Sequence, residues 1–244
     1  MSTWTRHLYE NDPLAISKGE SKGLSVRNIF GYHEAVGTSF VPLWENNTAY
    51  TFPTSPLTMT VNSNVADDGV VIRVIGLDTD YNIISGDYTL NSGTPPTTIA
   101  FLRINDVITI DGNGTGNAAN DITLTNGGTT YAKIRGGEGR NQASIFTVPA
   151  NHSFYLYRID AFSATTTGSS KYVLFRNQVT LSTGVVLRVA ETTFLNQMQI
   201  LRQLPFKYTE KTDIEFQGRS SSGDNEISVF GEGTLIDERF PSNA

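Results

Sequence analysis

The chain has 244 residues and a formal charge of −6, with charged residues at 17% and abundant Thr, Ser, Asn and Gly. No cysteine is present and the three histidines, His7, His33 and His152, are scattered. A disulfide scaffold, a thiolate metal site and a cysteine nucleophile are thereby excluded, and a zinc enzyme lacks its usual ligand pairs.

The Lys and Arg residues are dispersed, so no concentrated surface for nucleic acid is expected. No apolar run reaches the roughly 18 to 20 residues that span a bilayer, and no membrane partner is expected. The opening Met1-Ser2-Thr3-Trp4-Thr5-Arg6 has no apolar core or small-residue cleavage site, so a soluble, non-secreted protein is expected.

Residues 1–45 mix charges with apolar singles and do not alternate cleanly. They read either as a flexible terminal arm or as an arm anchored on a neighbouring subunit by Trp4, Tyr9 and Leu14, since aromatic anchors dominate interface energetics. From Phe40 the pattern turns to strand: Phe40 to Trp44, Tyr50-Thr51-Phe52, then Leu57 to Val61, where Leu57, Met59 and Val61 share one face. Trp44 and Phe52 are expected to hold these first strands on a core or a neighbour.

Val70 to Ile75, Tyr88 to Leu90, Ile99 to Ile104 and Val107 to Ile110 are rich in β-branched and aromatic residues. Gly76 to Asp80, Ser85-Gly86-Asp87 and Asn91 to Pro96 separate them with turn chemistry. Eight glycines crowd 112–139, where Asn126-Gly127-Gly128 signals a hairpin between Ile122 to Thr125 and Thr130 to Ile134.

A second block of strands begins near Ala143, with Ser144 to Val148, Phe154 to Ile159, Tyr172 to Arg176, Val185 to Val189, Ile214 to Gln217 and Ile227 to Phe230. Thr193 to Leu201 reads as strand and loop, because it lacks a helix-capping pattern. The spacing predicts an all-β protein with two tandem antiparallel β-sandwich-like domains. The expected division is an arm and first strand over 1–45, one sandwich over 46–140 and a second over 141–244.

The candidate chemical motifs are weak. Asp111-Gly112-Asn113-Gly114-Thr115-Gly116 opens like a calcium loop, but Ile122 stands where a bidentate Glu is needed. Whether the loop up to Asp121 holds an ion stays open. Asp67-Asp68, Asp78 with Asp80, and Asp237-Glu238 are the carboxylate clusters that glycoside hydrolysis would require, yet each falls in an expected turn. No G-x-S-x-G elbow or phosphate loop is present. Tyr50, Tyr81, Tyr155 and Tyr157 are candidates for stacking on sugars, although 155 and 157 share one face of a strand and suit a core or interface. No catalytic, metal or cofactor-binding residue is assigned and no cofactor is expected.

Gly31 to Trp44 followed by Tyr50 to Pro53 resembles the opening of structural proteins of tailed bacteriophages, particularly marine and cyanobacterial types. The resemblance continues through Ala66 to Gly69, Ile75 to Ile84, Phe101 to Asn105, Thr147 to Ala150 and Glu210 to Ile214. It spans roughly Gly31 to Glu238, and the I-G-L-D-x-x-Y-N-x-I element from Ile75 to Ile84 is its most specific part. Residues 112–120 are richer in glycine than the resemblance leads one to expect, and the arm before Lys22 matches nothing in it.

The resemblance implies a non-enzymatic virion component, assembled in the cytoplasm of a bacterial host. A head decoration or cement protein stabilising the shell is the expected role, with the major capsid protein as partner and symmetric, commonly trimeric, self-assembly. The alternatives are a tail fibre, adaptor or baseplate component with tail proteins as partners, a host-glycan-binding module, and a glycan-degrading tailspike.

Overall fold

The computed structural model describes residues 13–114, 116–164 and 171–240. A short helix α1 (Pro13–Ser17) precedes fifteen strands. They are β1 (Leu24–Val36), β2 (Val41–Pro42), β3 (Thr60–Asn62), β4 (Val71–Leu77), β5 (Ile83–Thr89), β6 (Arg103–Asp111), β7 (Ile122–Asn126), β8 (Thr129–Ile134), β9 (Ile145–Thr147), β10 (His152–Ala164), β11 (Val173–Thr180), β12 (Val186–Phe194), β13 (Gln197–Tyr208), β14 (Asp213–Ser220) and β15 (Asn225–Asp237). Every strand pairing is antiparallel.

Eight strands form the larger unit. One sheet runs β1-β15-β10-β13 and the facing sheet β12-β11-β14-β2, with β9 also pairing β14. Counted in chain order without β3 to β9, these orders are 1-8-3-6 and 5-4-7-2, the double Greek key of a jelly roll. Strict alternation places one face of each strand inside: along β15 Ile227, Val229 and Leu235 point into the core, and along β11 Val173, Phe175 and Val179 do. Phe154, Phe175 and Phe216 fill the space between the sheets, and Phe146 meets Phe154 edge-on at 5.3 Å.

The second unit lies between β2 and β9 in the chain. Sheets β3-β7-β8 and β5-β4-β6 enclose a separate core around Met59, Ile72, Phe101, Ile122 and Leu124. The expected hairpin is present, with Gly127 and Gly128 at φ 57° and 82° joining β7 to β8.

The all-β, antiparallel, sandwich-type expectation is met. The order of the two units differs from the tandem one expected above: the first is inserted into the second. Residues grouped with the arm form β1, which pairs β15 from Leu24↔Ile236 to Val36↔Asn225 with one irregularity after His33. Alternating burial is not visible in the sequence of β1 because its inward positions include Arg27, Gly31 and His33, while Val26, Phe30 and Tyr32 lie on the other face. A Cβ on Gly31 would land on the Leu43 carbonyl oxygen and 2.5 Å from Ser144 Cβ. Only glycine lets β1 pass this close to the neck where the chain leaves and re-enters the jelly roll.

Candidate functional site

Of the residues singled out as interface anchors, Trp4 and Tyr9 lie outside the described residues. Leu14 sits on α1, which packs against β1. Trp44 is buried at the neck, donates Nε1–H to the Thr48 carbonyl at 2.6 Å, and meets Tyr50 edge-on at 5.2 Å. Tyr50 in turn meets Phe52 at 5.1 Å. The structure thus brings Trp44 and Phe52 into one aromatic ladder within the chain, and burial pushes the Tyr50 phenol up. Tyr50 is therefore committed to packing, not presented for sugar stacking.

The carboxylate clusters are structural. Buried Asp67 accepts the Ala119 amide at 2.7 Å and the Asn120 side chain at 3.1 Å, pinning the glycine-rich loop. Asp68 accepts Ser92 N–H at 2.7 Å. Asp78 accepts the amides of Asp80 and Asn82 at 2.8 and 2.9 Å; these bonds outweigh the opposing effect of burial and hold its carboxyl below the usual range. The bidentate Arg239 contact holds Asp237 down at about 2. In the loop that opens like a calcium site, Asp111 accepts the Asn113 amide at 2.8 Å, an Asx turn. Among the described residues no group of three or more His, Asp or Glu side chains could hold a metal ion.

An open, polar recess of about 650 Å³ is lined by Asn62, Asn64, Asn120, Asp121 and Arg135. Several of its polar groups are internally engaged: Asn62 donates to Thr125 Oγ1 at 2.9 Å, and Asp121 pairs with Lys133 at 2.7 Å. Its lining includes no aromatic ring on which a sugar would stack.

Two larger features remain. The first is the junction between the units, built by β6. Buried Arg103 makes a bidentate contact with Asp213 of β14 at 2.8 and 2.9 Å, and donates to the carbonyls of Pro53 and Leu102. The rings of Phe52 and Tyr81 lie 4.9 and 5.6 Å from its guanidinium carbon. Thr147 completes Asp213 by donating its hydroxyl at 2.5 Å. Asn105 exchanges two bonds with the Thr147 backbone, at 2.8 and 2.9 Å. Asp106 receives Arg140 at 2.8 and 2.9 Å and Arg27 of β1 at 3.3 Å. Burial lowers the Arg27 guanidinium, and Asp106 counters that effect.

At the neck itself Glu45 is buried. One carboxylate oxygen accepts the Gln142 amide at 3.2 Å and the other has no partner. Burial raises its pKa to about 7.

The second feature is the opposite side of the jelly roll. β12 is the outer strand of one sheet and β13 of the other, and the chain passes between them through Leu195 and Asn196. Two sheet edges therefore lie on one side, with no further strand paired to either among the described residues. Six of the fifteen exposed large hydrophobic side chains among the described residues fall here: Val185, Val186, Leu187, Leu195, Leu201 and Leu204, the last two 70% and 79% exposed. Behind them Val189, Met198, Ile200 and Phe206 are partly buried against the main core. A β-bulge accounts for the prominence of Leu204. β13 pairs β10 up to Leu201↔Arg158 and resumes at Phe206↔Leu156, so residues 202–205 stand out opposite Tyr157 alone.

The sequence signal for this edge is apolar residues on both faces of one strand, Met198 and Ile200 on one and Leu201 on the other. The junction has a fainter signal, Arg103 ending an apolar run.

No family model matches the chain, and neither does any curated protein. Among solved structures, it is similar to the infectious bursal disease virus VP2 subviral particle and to infectious bursal virus derived T=1 particles, each at 10% identity with a TM-score of 0.26. Those alignments cover 89% of this chain and 73% and 70% of the other chains. A likeness of that size carries no argument about what this chain does.

Proposed function

We propose that this chain is a non-enzymatic structural protein of a bacteriophage virion, acting as a head decoration or cement protein that self-associates and binds the shell. The observation that carries the reading is the open β12 and β13 side, where two sheet edges and a cluster of exposed leucines and valines await a protein partner. The jelly roll supports it by analogy of fold, since that architecture builds capsids as well as lectins and cupins. The phage-like segments from Gly31 to Trp44 and Ile75 to Ile84 supply the setting, and both fall on structural parts of the molecule. Ile75 to Ile84 holds the end of β4, the Asp78-bonded turn and the start of β5.

Quantitative gels of purified virions test the proposal. A decoration protein is present in numbers comparable to the major shell protein. A few copies per particle would move it to the tail machine, and absence from purified particles would overturn the virion reading.

A further inference from the structure

We propose that the β12 and β13 side is the contact face of a two-fold symmetric pair, its occupant the same side of a second copy of this chain. The inference deepens the assembly reading above and rests on it for its setting, but the argument comes from the edge itself.

The first step is which sides are open. The β1 side of the jelly roll carries α1, and its Arg27 reaches the Asn105 carbonyl and Asp106 of the inserted unit. The β2 side carries β9 and the neck. Head-to-tail addition, with β13 of one copy laid along β1 of the next, would have to displace these contacts. Like-to-like pairing displaces nothing among the described residues.

The second step is charge. Identical surfaces bring identical charges together, which penalises a self-complementary contact unless the central strand is neutral. From Leu195 to Pro205 the sequence Leu-Asn-Gln-Met-Gln-Ile-Leu-Arg-Gln-Leu-Pro contains one charged residue. That residue, Arg202, is folded back on its own strand: its Nε–H donates to the Leu204 carbonyl at 3.0 Å and its guanidinium carbon sits 3.9 Å from the centre of the Phe206 ring. The rest of the strand offers Gln197 and Gln203, whose amides both donate and accept and so match their own copies, while Gln199 donates to Asp160 at 3.0 Å.

The third step is shape. Leu187 pairs Val179 and so turns toward the mouth of the sandwich, whereas Leu201 pairs Arg158 and lies on the outer face of its sheet, so exposed apolar side chains flank both open edges. Pro205 lacks an N–H and the 202–205 bulge breaks the edge. Backbone pairing is therefore limited to the regular Gln197 to Leu201 stretch, and an indefinitely growing sheet is disfavoured. A closed pair is the result expected.

The absence of cysteine makes the test direct. Leu201→Cys and Leu204→Cys are each prepared as single-cysteine proteins in the full chain, with Thr94→Cys on the exposed surface of the inserted unit as reference. Each is oxidised with diamide, and the unmodified chain is followed by sedimentation velocity over a hundredfold concentration range. The expected result is a concentration-dependent dimer and at least tenfold more disulfide-linked dimer from the Leu201 or Leu204 variant than from the Thr94 one, since a disulfide needs Cα atoms about 4.4–6.8 Å apart. Leu201→Lys with Leu204→Lys should be monomeric with an unchanged circular dichroism spectrum.

A chain that stays monomeric throughout would overturn the inference, as would a dimer that survives the paired lysine substitutions. A shell-protein contact on this face by a monomer would also overturn it while leaving the virion reading intact. Absence from the virion with a dimer in solution would do the reverse.

Discussion

Along the β1 and β2 side of the jelly roll, β6 of the inserted unit delivers Arg103, Asn105 and Asp106 into buried contacts with Asp213, Thr147, Arg27 and Arg140. Along the β12 and β13 side the exposed chemistry is mostly leucine, valine and glutamine, with Arg202 folded back, Glu191 paired to Arg176, and Arg188 exposed on β12. The difference follows from who the partner is. A buried ion pair repays its desolvation only when the geometry is tightly held, and a covalently attached unit supplies that geometry. A partner arriving from solution is better met by apolar area, which is not directional, and by amides that tolerate small offsets.

The first way to break this contrast is Asp213→Ala. It leaves Arg103 buried without its counter-charge and should cost about 3–5 kcal/mol, seen as a lower urea midpoint. Replacing Arg103 and Asp213 together by apolar residues should cost clearly less, because no charge is then stranded.

Next in size is the neck. The Glu45 carboxyl has a folded pKa of about 7 against 4.5 for the free group, so the folded state binds the proton more tightly. The destabilisation from ionising it begins above pH 4.5, grows to pH 7 and is then constant. It amounts to about 3 kcal/mol. In Glu45→Gln that loss should vanish, and the difference between the two proteins' unfolding free energies from pH 4.5 to 8 measures it directly.

Gly31→Ala comes third. A methyl group forced against the Leu43 carbonyl and Ser144 should cost about 1–3 kcal/mol, with both spectroscopic and calorimetric midpoints falling.

The smallest effect on stability sharpens the comparison most. Leu201→Lys and Leu204→Lys, at positions largely in solvent in the isolated chain, should each change the unfolding free energy by no more than about 0.5 kcal/mol. Association should nevertheless be lost. The closed side then governs folding and the open side governs assembly.

Much of this fold is legible from residue pattern. The alternation in β4, β11 and β15, the Asn126-Gly127-Gly128 hairpin and the Asp78 turn follow from local rules that act within a few residues. Insertion of one unit into the other is not legible, because it depends on β1 finding β15 some two hundred residues away, and neither strand names its partner. The polar junction is hidden for the same reason: Arg103 and Asp213 are 110 positions apart, and each alone resembles a surface charge. The leucines of β13 were in view as an apolar segment, but their exposure depends on the bulge opposite Tyr157, which only the pairing with β10 defines.

A reconstruction of the virion at side-chain resolution tests the assembly role most directly. The result expected is this chain in many copies, with Leu201 and Leu204 of each covered by a neighbouring protein and the Arg103 to Asp213 contact unchanged. Copies whose β12 and β13 side faces solvent throughout the particle, or particles without this chain, would contradict it.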